Sequence, residues 1–152
     1  MKTKIISVIA ILLLISGTKS FAGDPVNVPK KVLVSFENSF PEIQKETWHK
    51  IKDFYEVSFY ESPKKMSCRI FYSPEGVILE TFKNYQEEGL PLFIRVNLGK
   101  EYPGKKIIDI TEVYFEEETH YYILLQDEHR IYKVTSNEYG DLYLEKSFNR
   151  AN

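Results

Sequence analysis

Cysteine is almost missing from this 152-residue chain: Cys68 stands alone. One thiol cannot close an internal disulfide, so packing must hold the fold. Histidine is nearly as scarce, with His49, His120 and His129. No two of them stand at ligand spacing on one element, so no metal and no cofactor is expected. The run Glu116-Glu117-Glu118 does not follow the spacing of a calcium loop and reads as a solvated turn, longer than its counterpart at Asp53. A Gly-x-Ser-x-Gly elbow, a His-Glu-x-x-His helix and a phosphate-cradling glycine loop are all lacking. The reading is therefore of a protein without catalytic residues, not an enzyme. A basic stripe is lacking too. With 20 Lys and Arg against 22 Asp and Glu, the formal charge is −2, which excludes nucleic acid as a partner.

Long apolar runs are absent except at the start. Lys2 and Lys4 precede Ile5 to Ile15, broken by Ser7, and Ser16, Gly17, Thr18 and Ser20 lead to Ala22. That is the plan of a secretory signal peptide over residues 1–22. The run is too short for the ~20 helical residues that cross a membrane. Cleavage after Ala22 would leave 130 residues with 17 basic and 22 acidic side chains, a formal charge of −5 and no membrane span. An uncleaved anchor is the alternative. The expected location is periplasmic or secreted. The 14% aromatic content fits a chain stabilised by packing alone, as one domain or two small ones with a shared core.

What is present is a doubled pattern. Pro29 opens a helical stretch that Pro41 closes, and Pro91 and Pro103 do the same 62 residues later. Val32, Leu33, Phe36 and Phe40 form one apolar stripe, as do Ile94, Leu98 and Tyr102. After each helix the period changes to two. Trp48, then Tyr55-Val57-Phe59, Cys68-Ile70-Tyr72 and Val77 to Phe82 read as four strands, with Gly76 in a tight hairpin. Ile107 to Phe115, Tyr121-Ile123-Leu125, Ile131 to Thr135 and Leu142 to Phe148 read as four more, with Gly140 in place of Gly76. The expected organisation is a first α+β repeat over 23–83, a polar linker over 84–89 and a second repeat over 90–152. The expected fold class is α+β: two tandem helix-plus-four-strand units, an antiparallel sheet with helices on one face.

The order Val28-Pro29, Phe36, Phe40-Pro41, Trp48, Tyr55, Val57, Phe59 and Gly76 carries a resemblance, echoed by Leu90-Pro91, Leu98, Tyr102-Pro103, Tyr121, Ile123, Leu125 and Gly140. It resembles the PepSY-like, beta-lactamase-inhibitor-like exported proteins of Bacteroidetes type. The resemblance covers Val28 to about Phe148. It implies tandem units and an exported module without catalysis. The chain departs from the true beta-lactamase inhibitor proteins, whose units each carry a disulfide.

Helices on one face leave the other face of the sheet open. With Tyr55, Val57 and Phe59 inward, Phe54, Glu56, Ser58 and Tyr60 point outward. Arg69 and Phe71 join them, as do Ile78, Glu80 and Phe82 if Val77 and Leu79 point inward, and Tyr122, Leu124 and Tyr143 from the second half. Aromatics mixed with Arg and Glu suit a protein-binding face. The candidate binding residues are Phe54, Tyr60, Arg69 and Phe71. The expected partner is another exported protein, with an exported hydrolase as the working case. The alternatives are a small-ligand or glycan site on the same rings, or a homodimer with the face or an edge strand buried.

Overall fold

A computed structural model of the protein describes residues 26–150. The expected signal peptide lies outside the described residues. Helix α1 spans Lys30–Ser39. Pro29 caps it, and its carbonyl accepts from the N–H groups of Val32 and Leu33. Proline is tolerated there because the first turn has no use for its missing N–H. The helix closes where Phe40 N–H donates to Phe36 O. Strands β1 (Glu46–Ile51), β2 (Phe54–Glu61), β3 (Met66–Tyr72) and β4 (Ile78–Asn84) follow. A 3₁₀ turn at Glu87–Gly89 leads to α2 (Leu92–Glu101), capped by Pro91 and closed by Tyr102 N–H on Leu98 O. Then come β5 (Lys106–Phe115), β6 (Glu118–Gln126), β7 (Arg130–Asn137) and β8 (Leu142–Asn149).

All eight strands lie in one sheet in sequence order, each antiparallel to the next. The ladder between β4 and β5 pairs Glu80 with Phe115 through Asn84 with Thr111 and makes the sheet continuous. Residues opposite each other across strands share a face. One such row runs Phe59, Cys68, Lys83, Glu112, Tyr121, Ser136. Phe59 belongs to the core under α1 and Tyr121 to the core under α2, so both helices pack on the same face. Val32 and Phe36 of α1 cover Val57, Phe59 and Ile70. Phe36 is ringed by Phe40, Trp48 and Phe59 at 5.5, 5.4 and 5.6 Å between centroids. Ile94 and Leu98 of α2 cover Ile110, Ile123, Leu125 and Val134.

Three local expectations are corrected. Val77 and Leu79 do not point inward with Ile78 outward. A register shift at Phe71/Tyr72 makes Leu79 the extra residue, sets Ile78 opposite Tyr72 against the first core, and leaves Val77 58% exposed. The charged run after β5 is not longer than its counterpart. Glu116-Glu117 alone makes the turn, as Lys52-Asp53 does after β1, because Glu118 already pairs with Phe115. The stretch after β4 is not purely polar, since Tyr85 is buried in the second core.

Each helix rests on a hairpin glycine, α1 on Gly76 and α2 on Gly140, where a Cβ would stand 2.8 Å from Phe93. Gly76 has φ +86°, and a Cβ there would stand 2.6 Å from Lys31 O. Gly104 has φ +75° with nothing within 4 Å of a Cβ. Gly104→Ala should cost about 1–2 kcal/mol for the left-handed backbone, and Gly76→Ala a further ~1–3 kcal/mol as α1 is forced off the hairpin. Urea unfolding of the two variants tests that order. Glu116 and Glu117 both carry positive φ, +50° and +66°. Replacing them with Asn-Gly should stabilise the protein by about 1 kcal/mol, read as a higher urea midpoint at unchanged slope.

Candidate functional site

The sheet face away from the helices carries no second layer among the described residues. Strand register arranges it in rows. One row runs Thr47, Ser58, Arg69, Phe82, Val113, His120, Asn137. Beside it lies a row of hydroxyls and one amide: Tyr60, Ser67, Asn84, Thr111, Tyr122, Thr135, Tyr143. On the other side lie His49, Glu56, Phe71, Glu80, Phe115 and Glu118.

The four candidate residues all lie on this face but do not meet at one point. Phe54 and Tyr60 stand at opposite ends of β2, about 20 Å apart at ~3.3 Å per residue. Both are exposed, Phe54 43% and Tyr60 57%. Arg69 and Phe71 do come together, and they bring in Phe82, which the register places outward as expected but which was not among the four. Phe71 and Phe82 meet edge to face at 5.9 Å. The Arg69 guanidinium carbon lies 4.9 Å from the Phe82 ring centroid and 6.0 Å from that of Phe71. Such a cation over a ring contributes ~0.5–1 kcal/mol at an exposed site, but its larger effect is to hold the guanidinium plane. Arg69 Nε stands 3.7 Å from Glu56 Oε1, with the Arg69 side chain 52% exposed.

This cluster separates two shallow concavities. One of ≈ 590 Å³ is lined by Lys45, Thr47, Ser58, Tyr60, Arg69 and Phe82, among others. The second, ≈ 640 Å³, is more apolar, with Phe54, Phe71, Val77, Leu79 and Phe115 in its wall. Tyr60 and Arg69 thus belong to one concavity, Phe54 and Phe71 to the other. The hydroxyl row escaped the sequence reading because Ser, Thr and Asn scattered over different strands have no local signature. Only the register collects them.

Cys68 lies on the helix face and is buried, and burial pushes its thiol up to about 11. A thiol protonated at neutral pH is a poor nucleophile. Between the two cores, Glu112 accepts from Lys83 Nζ and from the Tyr85 hydroxyl, each at 2.7 Å. Burial first, then that bond to Glu112, raises the Tyr85 hydroxyl far above its ordinary value. Among the described residues no group of three His, Cys, Asp or Glu side chains could hold a metal ion. No helix among them is long and apolar enough to cross a membrane.

No family model matches the sequence, and no curated protein matches it either. Solved structures do match. A BLIP-like protein from Bacteroides fragilis superposes with a TM-score of 0.63 at 12% identity, over 84% of this chain and 91% of that one. The fold is BLIP-like. A DUF2874 family protein from Bacteroides ovatus follows at TM-score 0.60 and 17% identity, over 84% and 89%. A protein from Bacteroides eggerthii, provisionally named as periplasmic, gives 0.59 and 15%, over 82% and 90%. The BLIP-like fold here is an α+β arrangement of one eight-stranded antiparallel sheet with both helices on one side.

Cys68 should resist a thiol-labelling reagent at pH 8 in the native protein and react fully in denaturant. Native labelling as fast as in the unfolded chain would show an accessible thiolate and sink the assignment of Cys68 to the core.

Proposed function

We propose that this chain is an exported, non-catalytic module that binds another exported protein across its open sheet face, modulating or inhibiting an exported hydrolase. The observation that carries this reading is the uncovered face itself. Exposed Phe54 and Tyr60 flank the Arg69–Phe71–Phe82 group at its centre. A soluble protein rarely leaves such a patch bare without a use for it, and aromatic and Arg side chains dominate binding hot spots. Export is supported by the N-terminal pattern and by the periplasmic name of one structural relative. The two helix-plus-four-strand runs are read as tandem units, 23–83 and 90–152, joined by 84–89. The fold likeness supports a binding role but does not by itself name one.

A glycan is the second reading, favoured by the hydroxyl-lined concavity beside the Tyr60 and Phe82 rings. The experiment is a crosslinking pulldown from the native envelope fraction, with the chain from Gly23 as bait. One exported protein should be enriched, with recovery reduced roughly tenfold or more by Phe71→Ala and by Tyr60→Ala, each shown to be folded. Unchanged recovery in both variants would remove this face as the site. Recovery of bait alone as a dimer-sized product would replace the reading with self-association.

A further inference from the structure

We propose that the concavity beside Arg69 is a carboxylate receptor, taking an acidic side chain that is flanked by apolar residues in a protein partner. The proposal rests on the protein-binding reading above and adds the chemistry of what is bound.

Three observations carry it. First, the lining has one sign of charge. Lys45 and Arg69 contribute to it, and no carboxylate does, although the whole chain holds more acidic than basic residues. Second, the remaining polar groups suit the outer lone pairs of a carboxylate. Thr47, Ser58, Ser67 and Thr111 bring hydroxyls, while the Asn84 amide beside them already donates to Asp109 Oδ1 and Ile110 O. Third, Arg69 is held but not used up. Phe82 lies under its guanidinium at 4.9 Å and Phe71 beside it at 6.0 Å. The nearest carboxylate, Glu56, approaches Nε at 3.7 Å, beyond hydrogen-bonding distance. The fork is thus oriented by rings and left with donors for a ligand. A guanidinium fixed in this way gives up little entropy on forming two parallel N–H···O bonds.

Glu56 offsets part of the local positive charge. Recognition therefore depends on the bidentate geometry of Arg69 and not on charge alone, and a lysine should not replace it. The second concavity decides between sources of the carboxylate. Its apolar wall, Phe54, Val77, Leu79 and Phe115, lies across the Phe71–Phe82 pair from the hydroxyls, and Glu80, Glu116 and Glu117 line it too, so it suits the apolar part of a ligand and turns a carboxylate toward Arg69. A peptide segment with an acidic residue next to apolar ones fills both concavities, whereas an acidic sugar leaves the apolar one empty.

The test is an NMR titration of the full mature chain, ¹⁵N-labelled, with a blocked glutamate (N-acetyl, N-methylamide) and with its glutamine counterpart. The glutamate probe should shift the Arg69 Nε–H resonance and the Ser58, Ser67 and Thr111 amides saturably, with a Kd on the order of 1–10 mM. The glutamine probe should leave them in place. Arg69→Lys should weaken the response about fivefold or more, and Arg69→Gln should abolish it, with the rest of the spectrum reporting an intact fold. Equal shifts with both probes, no saturation, or an unchanged response in Arg69→Gln would overturn the proposal. So would a stronger response to galacturonate than to the blocked glutamate. Failure here is separable from failure of the binding reading: a pulldown lost in Phe71→Ala but intact in Arg69→Gln rejects the carboxylate and keeps the face.

Discussion

The ladder between β4 and β5 is the constraint on which the rest depends. Five residue pairs, Glu80 with Phe115 through Asn84 with Thr111, join two four-stranded halves into one sheet. Apart, the halves would have four strand edges to protect, and joined they have two, β1 and β8. The join also decides what lies between the helices. In the row Phe59, Cys68, Lys83, Glu112, Tyr121, the ends are covered by α1 and α2, while the middle falls in the gap. An apolar pair there would face water. Lys83 and Glu112 make an ion pair instead, and the Tyr85 hydroxyl takes the second carboxylate oxygen. With 34% and 16% of their side chains exposed, the pair is too wet to stabilise much by charge. Its use is to let a half-covered seam be polar without an unsatisfied carboxylate.

On the opposite face the same ladder lets rows run from one half to the other without a break. On that face cations lie over several of the rings. Arg69 lies over Phe82, Lys133 over Tyr122 at 5.3 Å and Lys146 over Phe148 at 4.9 Å. Each ring stays partly exposed while a charge beside it disfavours loose hydrophobic association. The two halves differ in how tightly the cation is placed. Arg69 has two rings to lie against, and Lys146 has one. A planar group wedged between rings presents a fixed fork, while a lysine on a flexible stem presents a movable point charge.

Much of this was legible in the sequence where the signal is local. The prolines bracket both helices, and Tyr55, Val57 and Phe59 alternate as a half-buried strand must. Outwardness of Phe54, Tyr60, Arg69 and Phe71 followed from that alternation alone. The misreadings lie where one residue changes parity. The shift at Phe71/Tyr72 adds Leu79 to β4, and no residue type marks it, because Val, Ile and Leu suit either face. The two-residue turn at Glu116-Glu117 was hidden by the third glutamate, which looks like loop and pairs as strand. Grouping was harder still. Arg69 meets Phe82 because β3 pairs with β4, and a face is assembled by pairing between strands, which sequence spacing does not record.

With Cys68 alone, the chain closes no internal disulfide, and packing has to supply what such a bond would. A native disulfide in a small exported domain contributes roughly 2–5 kcal/mol. The core under α1 answers with rings: Phe36, Phe40, Trp48 and Phe59 pack within 5.1–5.6 Å of one another where they meet, and Tyr72 lies fully buried beside them. A buried aromatic removes ~150–250 Å² from water, and each well-placed pair adds ~0.5–1.5 kcal/mol beyond that area. Three or four such pairs match a disulfide in magnitude. Unlike a disulfide, they do not depend on the redox state of the compartment. The core under α2 has no such ring cluster and uses Leu90, Ile94, Ile110, Ile123 and Leu125 instead, all nearly free of solvent. The same architecture is thus held by two chemistries, and the aromatic one lies beneath β3, the strand that carries both Arg69 and Phe71. Phe59 and Tyr72 on the inner side of β2 and β3 thus pack behind the strand pair from whose outer side Arg69 stands out, and a side chain is held best where the element carrying it is itself packed.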